Sequence, residues 1–144
     1  MDTNLKDHIE SCLNEQLQTK SAFNWQTIGG GSINNTFKVS NGEYTFFVKT
    51  NTTAVFENGF KEEDLELQFL KSKEVLVPNT ILEGVFENAI YLVLEWIETG
   101  EKTTKFWENF AAQLAELHQH QVEQFGFYHS NFMHHPLTHT WLLY

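Results

Sequence analysis

Three stretches of the chain carry residue types that could work together on a phosphorylated ligand. The first is Gly29-Gly30-Gly31-Ser32. A run without side chains lets backbone N–H groups come close to phosphate oxygens. No Gly-Lys-Ser/Thr follows it and no helical period begins behind it, so neither the P-loop nor the dinucleotide fingerprint fits. The second is Lys49, which closes the aromatic stretch Tyr44-Thr-Phe-Phe-Val-Lys49. The third is Glu63 in the charged run Lys61-Glu-Glu-Asp-Leu-Glu66, a carboxylate that could orient the ammonium of Lys49. Bland readings stand beside each. A glycine run can be a flexible hairpin tip, a strand-end lysine is commonly solvated, and charge runs on helices are mostly solvated faces. Glu62 and Glu66 also compete with Glu63.

The surrounding periodicities decide which elements must position these groups. Leu5, Ile9, Cys12, Leu13 and Leu17 fall at helical spacing, which predicts an amphipathic helix over 4–19 capped by Asp2 or Thr3. Phe23, Trp25 and Thr27 alternate with polar neighbours and predict a strand. A second strand is predicted over 33–40, the dipeptide Asn41-Gly42 signals a two-residue hairpin, and 43–50 returns as a third strand. Residues 58–73 read as a helix with Phe60, Leu67 and Leu70 as one stripe, and the segment around Val77-Pro78 ends it. A second hairpin is predicted from 80–86 and 89–96 about Glu87-Asn88. Its last strand, Ala-Ile-Tyr-Leu-Val-Leu, is continuously apolar, which predicts burial on both faces. After the polar linker 98–104, Phe106, Trp107, Phe110, Ala111, Leu114, Ala115 and His118 fall at core spacing on a helix over 105–119.

The chain has 144 residues, 19 Asp+Glu against 9 Lys+Arg, 41% hydrophobic and 15% aromatic residues and one cysteine. That is enough for a real core built largely on rings. A net charge of −10 repels phosphate backbones and anionic lipid, so nucleic acid and membrane surfaces are not expected partners. The longest apolar run, 89–94, is far too short to span a bilayer, and the first residues lack a basic stretch followed by an apolar one. A single thiol cannot form an intrachain disulfide and suits a reducing compartment, so a cytoplasmic location is expected. Cys12 reads as a core thiol. Histidines 118, 120, 129, 134, 135 and 139 lack a cysteine or aspartate partner nearby, so no native metal site is expected, and His118 reads as a buried core histidine.

Helix, three antiparallel strands, helix, two strands, linker and helix is the plan of the nucleotide lobe of the protein-kinase-like fold, an α+β class. In that plan Lys49 falls where the phosphate-pairing lysine sits, and Glu95-Trp96-Ile97 falls at the hinge, whose backbone groups bond the adenine edge. The pattern Gly29-x-Gly31-x-x-Asn34 lacks the third glycine of the protein-kinase loop. Beyond the fold, the chain resembles the fructosamine (ketosamine) 3-kinases of the aminoglycoside-phosphotransferase-like group. The resemblance rests on Gly29-Gly-Gly-Ser-Ile-Asn34, Phe46-Phe-Val-Lys-Thr-Asn51, Phe60-x-x-Glu63-x-x-x-Leu67-x-x-Leu70, Val77-Pro78, Tyr91-Leu-Val-Leu-Glu-Trp-Ile97, Leu114-Ala-Glu-Leu-His118 and Phe125-Gly-Phe.

The resemblance implies ATP and magnesium as cofactors, ketosamine sugars or glycated amines as acceptors, and a deglycation repair role. It implies a nucleotide-binding role for Gly29, Gly30, Gly31, Ser32, Lys49, Glu63, Glu95, Trp96 and Ile97, with residues 1–97 as the nucleotide lobe and 98–144 as the hinge linker and the start of a truncated second lobe. Similarity fades after Phe132, and Ser130 stands where the family has an aspartate. No His-Gly-Asp, no Asp-Phe-Gly and no aspartate after Asp64 occurs, so no catalytic residue and no metal ligand is assigned and the chain alone is expected to be inactive. Trp107, Phe110 and the aromatics of 125–132 are expected to be exposed and to favour a homo-oligomer. The alternatives are a non-catalytic nucleotide-binding or interaction module derived from a kinase, and a small pocket protein unrelated to kinases.

Overall fold

A computed structural model describes residues 2–29, 33–54 and 60–119 of the chain. Gly30, Gly31, Ser32, the 125–132 aromatics and the tail histidines lie outside the described residues. The first helix, α1 (Thr3–Leu17), starts where the Asp2 carboxylate accepts from the backbone N–H of Asn4 at 3.1 Å. Leu5, Ile9 and Leu13, four residues apart, form its buried stripe. It stops at Gln18, whose φ of 55° is left-handed. Asn14 then ties down the exit, accepting from Thr19 Oγ1 at 2.8 Å and from the N–H of Ser21 at 2.9 Å. Cys12 is half-buried rather than a core thiol, with its sulfur 3.7 Å from His8 Nε2.

Five strands follow: β1 (Asn24–Thr27), β2 (Asn35–Ser40), β3 (Thr45–Thr52), β4 (Thr80–Phe86) and β5 (Ala89–Glu95). They form one antiparallel sheet in the order β1-β2-β3-β5-β4, which puts β3 in the centre with β2 and β5 on either side of it. The sequence expectation of a three-strand meander followed by a hairpin is met. The first hairpin is wider than Asn41-Gly42 predicts. The last β2–β3 pair is Ser40–Thr45, so four residues form the loop. The Asn41 side chain accepts from the N–H groups of both Glu43 and Tyr44, at 3.1 and 2.8 Å, which makes Asn41 an Asx-turn residue that opens a longer loop.

The sheet has two unlike faces, because residues directly opposite across strands share a face. One carries Phe37, Val39, Phe46, Val48, Tyr91 and Val93, and α1 covers it with Leu5, Ile9 and Leu13. The other carries buried Leu92 and Leu94 together with Ile90, and Phe60 and Leu67 pack against it. Ile90 through Leu94 are all buried, which is what a strand apolar at successive positions requires.

Helix α2 (Lys61–Ser72) opens on buried Phe60 and carries Glu62, Glu63 and Asp64 in its first turn, where acidic groups complement the helix dipole. It ends before Val77-Pro78. The N–H of Lys73 bonds back to Leu70 O and Glu74 takes a φ of 60°, so a left-handed residue terminates the helix four residues before the proline. Helix α3 (Phe106–Gln119) has no buried residue among those described. Its apolar residues fall at core spacing, and Trp107 and Phe110 are exposed as expected, with Leu114 exposed beside them; His118 is exposed rather than a core histidine. The periodicity is amphipathic, but the described sheet and helices leave that stripe uncovered.

Candidate functional site

Lys49 sits on β3 directly opposite Thr36 of β2 and Leu92 of β5. Its side chain therefore belongs to the face opposite α1. The flanking Val48 and Thr50 point into the other face and are buried, so the strand fixes the direction of the lysine. The Phe60 ring, buried at the start of α2, lies 5.2 Å from the ammonium. Glu63 follows Phe60 by one helical turn and shares its side of the helix. The result is an ion pair of 2.5 Å between Lys49 Nζ and Glu63 Oε2, with side-chain exposures of 17% and 34%. Of the three acids that compete on sequence grounds, the structure joins Glu63 to Lys49. The ammonium retains further donors to offer outward.

The glycine turn roots beside this pair. The N–H of Ile28 donates to Thr36 O at 2.9 Å, and Thr36 Oγ1 donates back to Ile28 O at 2.8 Å. Thr36 is the cross-strand neighbour of Lys49, so the last rung beneath the turn adjoins the lysine. Gly29 has open space where a Cβ would stand. On the returning arm, Asn51 Nδ2 donates to Ile33 O at 2.9 Å and to Asn34 Oδ1 at 2.8 Å.

At the other end of the same face β5 gives way to the linker. Glu95 is more than a backbone position. Its N–H donates to Asn79 O at 2.8 Å, and its Oε2 accepts from the backbone N–H and Nδ2 of Asn79 at 3.2 and 2.6 Å. Lys71 also bonds Asn79 through its side chain, which links α2 to the strand end. Trp96 is half-buried, and its Nε1–H is shielded from solvent without a hydrogen-bond partner. Ile97 is exposed. Lys38 of β2, on the face that carries Lys49, holds its ammonium 4.3 Å from the centre of the Trp96 ring and 3.6 Å from Glu98 Oε1.

A sequence model of the family described as fructosamine kinase matches residues 3–140. The chain belongs to the fructosamine kinase family. A probable ketoamine kinase of Enterococcus faecium is 33% identical over 104 residues, which cover 72% of this chain and 36% of that protein. One of Synechocystis is 34% identical over 95 residues, covering 65% of this chain and 32% of that protein. A solved structure assigned as a fructosamine-3-kinase of Haemophilus somnus 129PT superposes with a TM-score of 0.70 at 24% identity, over 79% of this chain and 39% of that one. The fold is thus the one expected from the order of elements. The chain matches about a third of the length of the two curated relatives.

Sequence reasoning did not assign Lys38, Asn51 or Asn79. Lys38 and Lys49 are both cations at face-equivalent positions of paired strands, and Asn51 follows Lys49 at the two-residue interval that keeps a side chain on one face. That alternation was the available signal. Asn79 could not be found so, because it lies outside a strand and acts through the end of another. Among the described residues, no group of three or more His, Cys, Asp or Glu side chains is placed to hold a metal ion, and no helix is long and apolar enough to cross a membrane.

Proposed function

We propose that residues 1–97 form the nucleotide lobe of an ATP-dependent ketosamine kinase, and that 98–144 form the hinge linker and the beginning of the second lobe. The observation that carries this reading is the 2.5 Å Lys49–Glu63 pair beside the root of the glycine turn. An ammonium held extended by a carboxylate can meet the negative oxygens of a triphosphate without first losing rotamer freedom. Gly29 and, by sequence, Gly30, Gly31 and Ser32 would supply backbone N–H groups to the same phosphates. Glu95, Trp96 and Ile97 would place backbone groups at the adenine edge. Lys38 over the Trp96 indole and the Glu95–Asn79 bonds hold that segment against the sheet.

These residues fit ATP and do not fit magnesium. Transfer to a sugar hydroxyl needs a group to accept the proton and ligands for the metal. The sequence has no aspartate after Asp64, and Glu63, the acid of the clamp itself, is paired with Lys49. In this reading the lobe binds nucleotide, does not by itself phosphorylate a ketosamine, and serves a kinase activity whose acceptors are glycated amines. The test is differential scanning fluorimetry with ATP and magnesium. The unaltered chain gains melting temperature, and Lys49→Ala abolishes the gain. An unaltered chain with no gain at saturating ATP removes the nucleotide reading.

A further inference from the structure

The returning arm of the glycine turn is held by a polar tie and not by burial. Beyond the Ile28–Thr36 rung, the arm consists of Ile33 and Asn34 before β2 begins at Asn35. The Ile33 side chain is 69% exposed, so apolar packing does not fix it. What reaches the arm is the Asn51 amide, which gives one proton to Ile33 O and one to Asn34 Oδ1. Asn51 is fixed in turn, because its own oxygen accepts from the N–H of Thr52 at 2.8 Å. It is two residues from Lys49 and on the same face of the same strand.

We infer that Asn51 is a positioning residue for nucleotide phosphate: it locks the orientation of the Ile33–Asn34 peptide relative to Lys49. This rests on the nucleotide reading above and deepens it. Two acceptor oxygens, Ile33 O and Asn34 Oδ1, carry partial negative charge that would repel phosphate if turned outward. Asn51 engages both and turns them toward β3. In a planar trans peptide the N–H points opposite to the C=O, so fixing Ile33 O toward Asn51 aims the Asn34 N–H away from it. One side chain thus removes two repulsive groups and sets a donor, at the edge of the run that by sequence offers its amides to phosphate.

The experiment compares Asn51→Ala and Asn51→Leu with the unaltered chain. Both lack the amide and carry no charge, and leucine keeps the volume. Dissociation constants for ATP and for adenosine are measured by titration, and amide hydrogen exchange at residues 34–36 is followed without ligand. Expected are a loss of roughly tenfold in ATP affinity, adenosine affinity unchanged, and faster exchange confined to 34–36. Equal losses for ATP and adenosine, or an unchanged ratio of the two, overturn the inference while ATP binding by the unaltered chain preserves the broader reading. An unaltered chain that does not bind ATP defeats that reading, and this inference with it. If Asn51→Ala does not fold, the volume-matched Asn51→Leu carries the comparison.

Discussion

The Lys49–Glu63 pair can be read as a stability device or as a device for holding charge in place, and its exposure decides between them. Partly solvated ion pairs contribute about 0.2–1 kcal/mol, and with 34% of the Glu63 side chain exposed this pair belongs in that range. Glu63→Gln should therefore move the urea midpoint little, by less than about 1 kcal/mol in stability. It should weaken ATP binding markedly, because the amide leaves Lys49 without a counter-charge to extend it. Glu62→Gln, one residue away on the same helical turn, should leave ATP affinity at its original value. Equal effects from the two substitutions would show that the overall charge of α2, and not this contact, matters. The choice of Glu63 over its neighbours was only partly legible in the sequence. Helical phase from Phe60 favours it, but the burial that anchors Phe60 against Ile90, Leu92 and Leu94 is a tertiary fact.

At the scale of elements, the face of the sheet away from the site is what keeps β4 and β5 in register. Tyr91 is buried there, its hydroxyl 3.1 Å from His8 Nε2 of α1, and His8 stacks on Phe86 at 4.3 Å between ring centres. Gly84 lies opposite Tyr91 across the two strands. A Cβ there would stand 2.6 Å from the Tyr91 hydroxyl and 2.8 Å from its ring carbon. Gly84→Ala should thus cost about 1–3 kcal/mol, the usual penalty for overpacking, read as a lower denaturation midpoint. An unchanged midpoint would mean that the tyrosine moves aside freely. The same tyrosine gives a pH signature. Burial first, then the neighbouring Cys12 and Glu83, push its pKa from 10.0 up to about 12. The folded state therefore favours the neutral phenol. Its contribution is complete below pH 10, declines as the unfolded phenol ionises, and is gone above about pH 12. Tyr91→Phe should flatten the alkaline loss of stability between those limits, seen as a difference between the two chains' urea midpoints across that range. The elements themselves were largely legible: the continuous apolar run of β5 and the switch from period 3.6 to period 2 after α1 are both strong local signals. The wide first hairpin was not, because the Asx turn at Asn41 competes with the two-residue turn that Asn-Gly favours. The end of α2 was legible to within one residue, since the helix expected to end at 73 stops at Ser72, but the left-handed Glu74 that follows it carries no residue-type signature.

For the whole molecule, two opposing features set its behaviour in solution. Helix α3 presents Trp107, Phe110 and Leu114 at 65%, 51% and 41% exposure, with Lys102 lying 4.9 Å from the centre of the Trp107 ring as a partial cover. Aromatic surface of this kind gains free energy when a second copy buries it. The net charge of −10 opposes that approach, because every copy repels every other. Both terms are legible in the sequence: the expected exposure of Trp107 and Phe110 is what the structure shows, and Leu114 extends the same uncovered stripe among the described residues. Salt separates the two terms. Screening shortens the repulsion to about 10 Å at 0.1 M and about 3 Å at 1 M, while apolar burial is not weakened by it. Sedimentation velocity should therefore show self-association that strengthens as sodium chloride rises. Trp107→Glu combined with Phe110→Glu should restore a monomer at every salt concentration. A chain that stays monomeric at high concentration and high salt would mean that this aromatic stripe makes no contact between copies. Association that weakens with salt would instead assign the contact to ion pairs elsewhere on the surface.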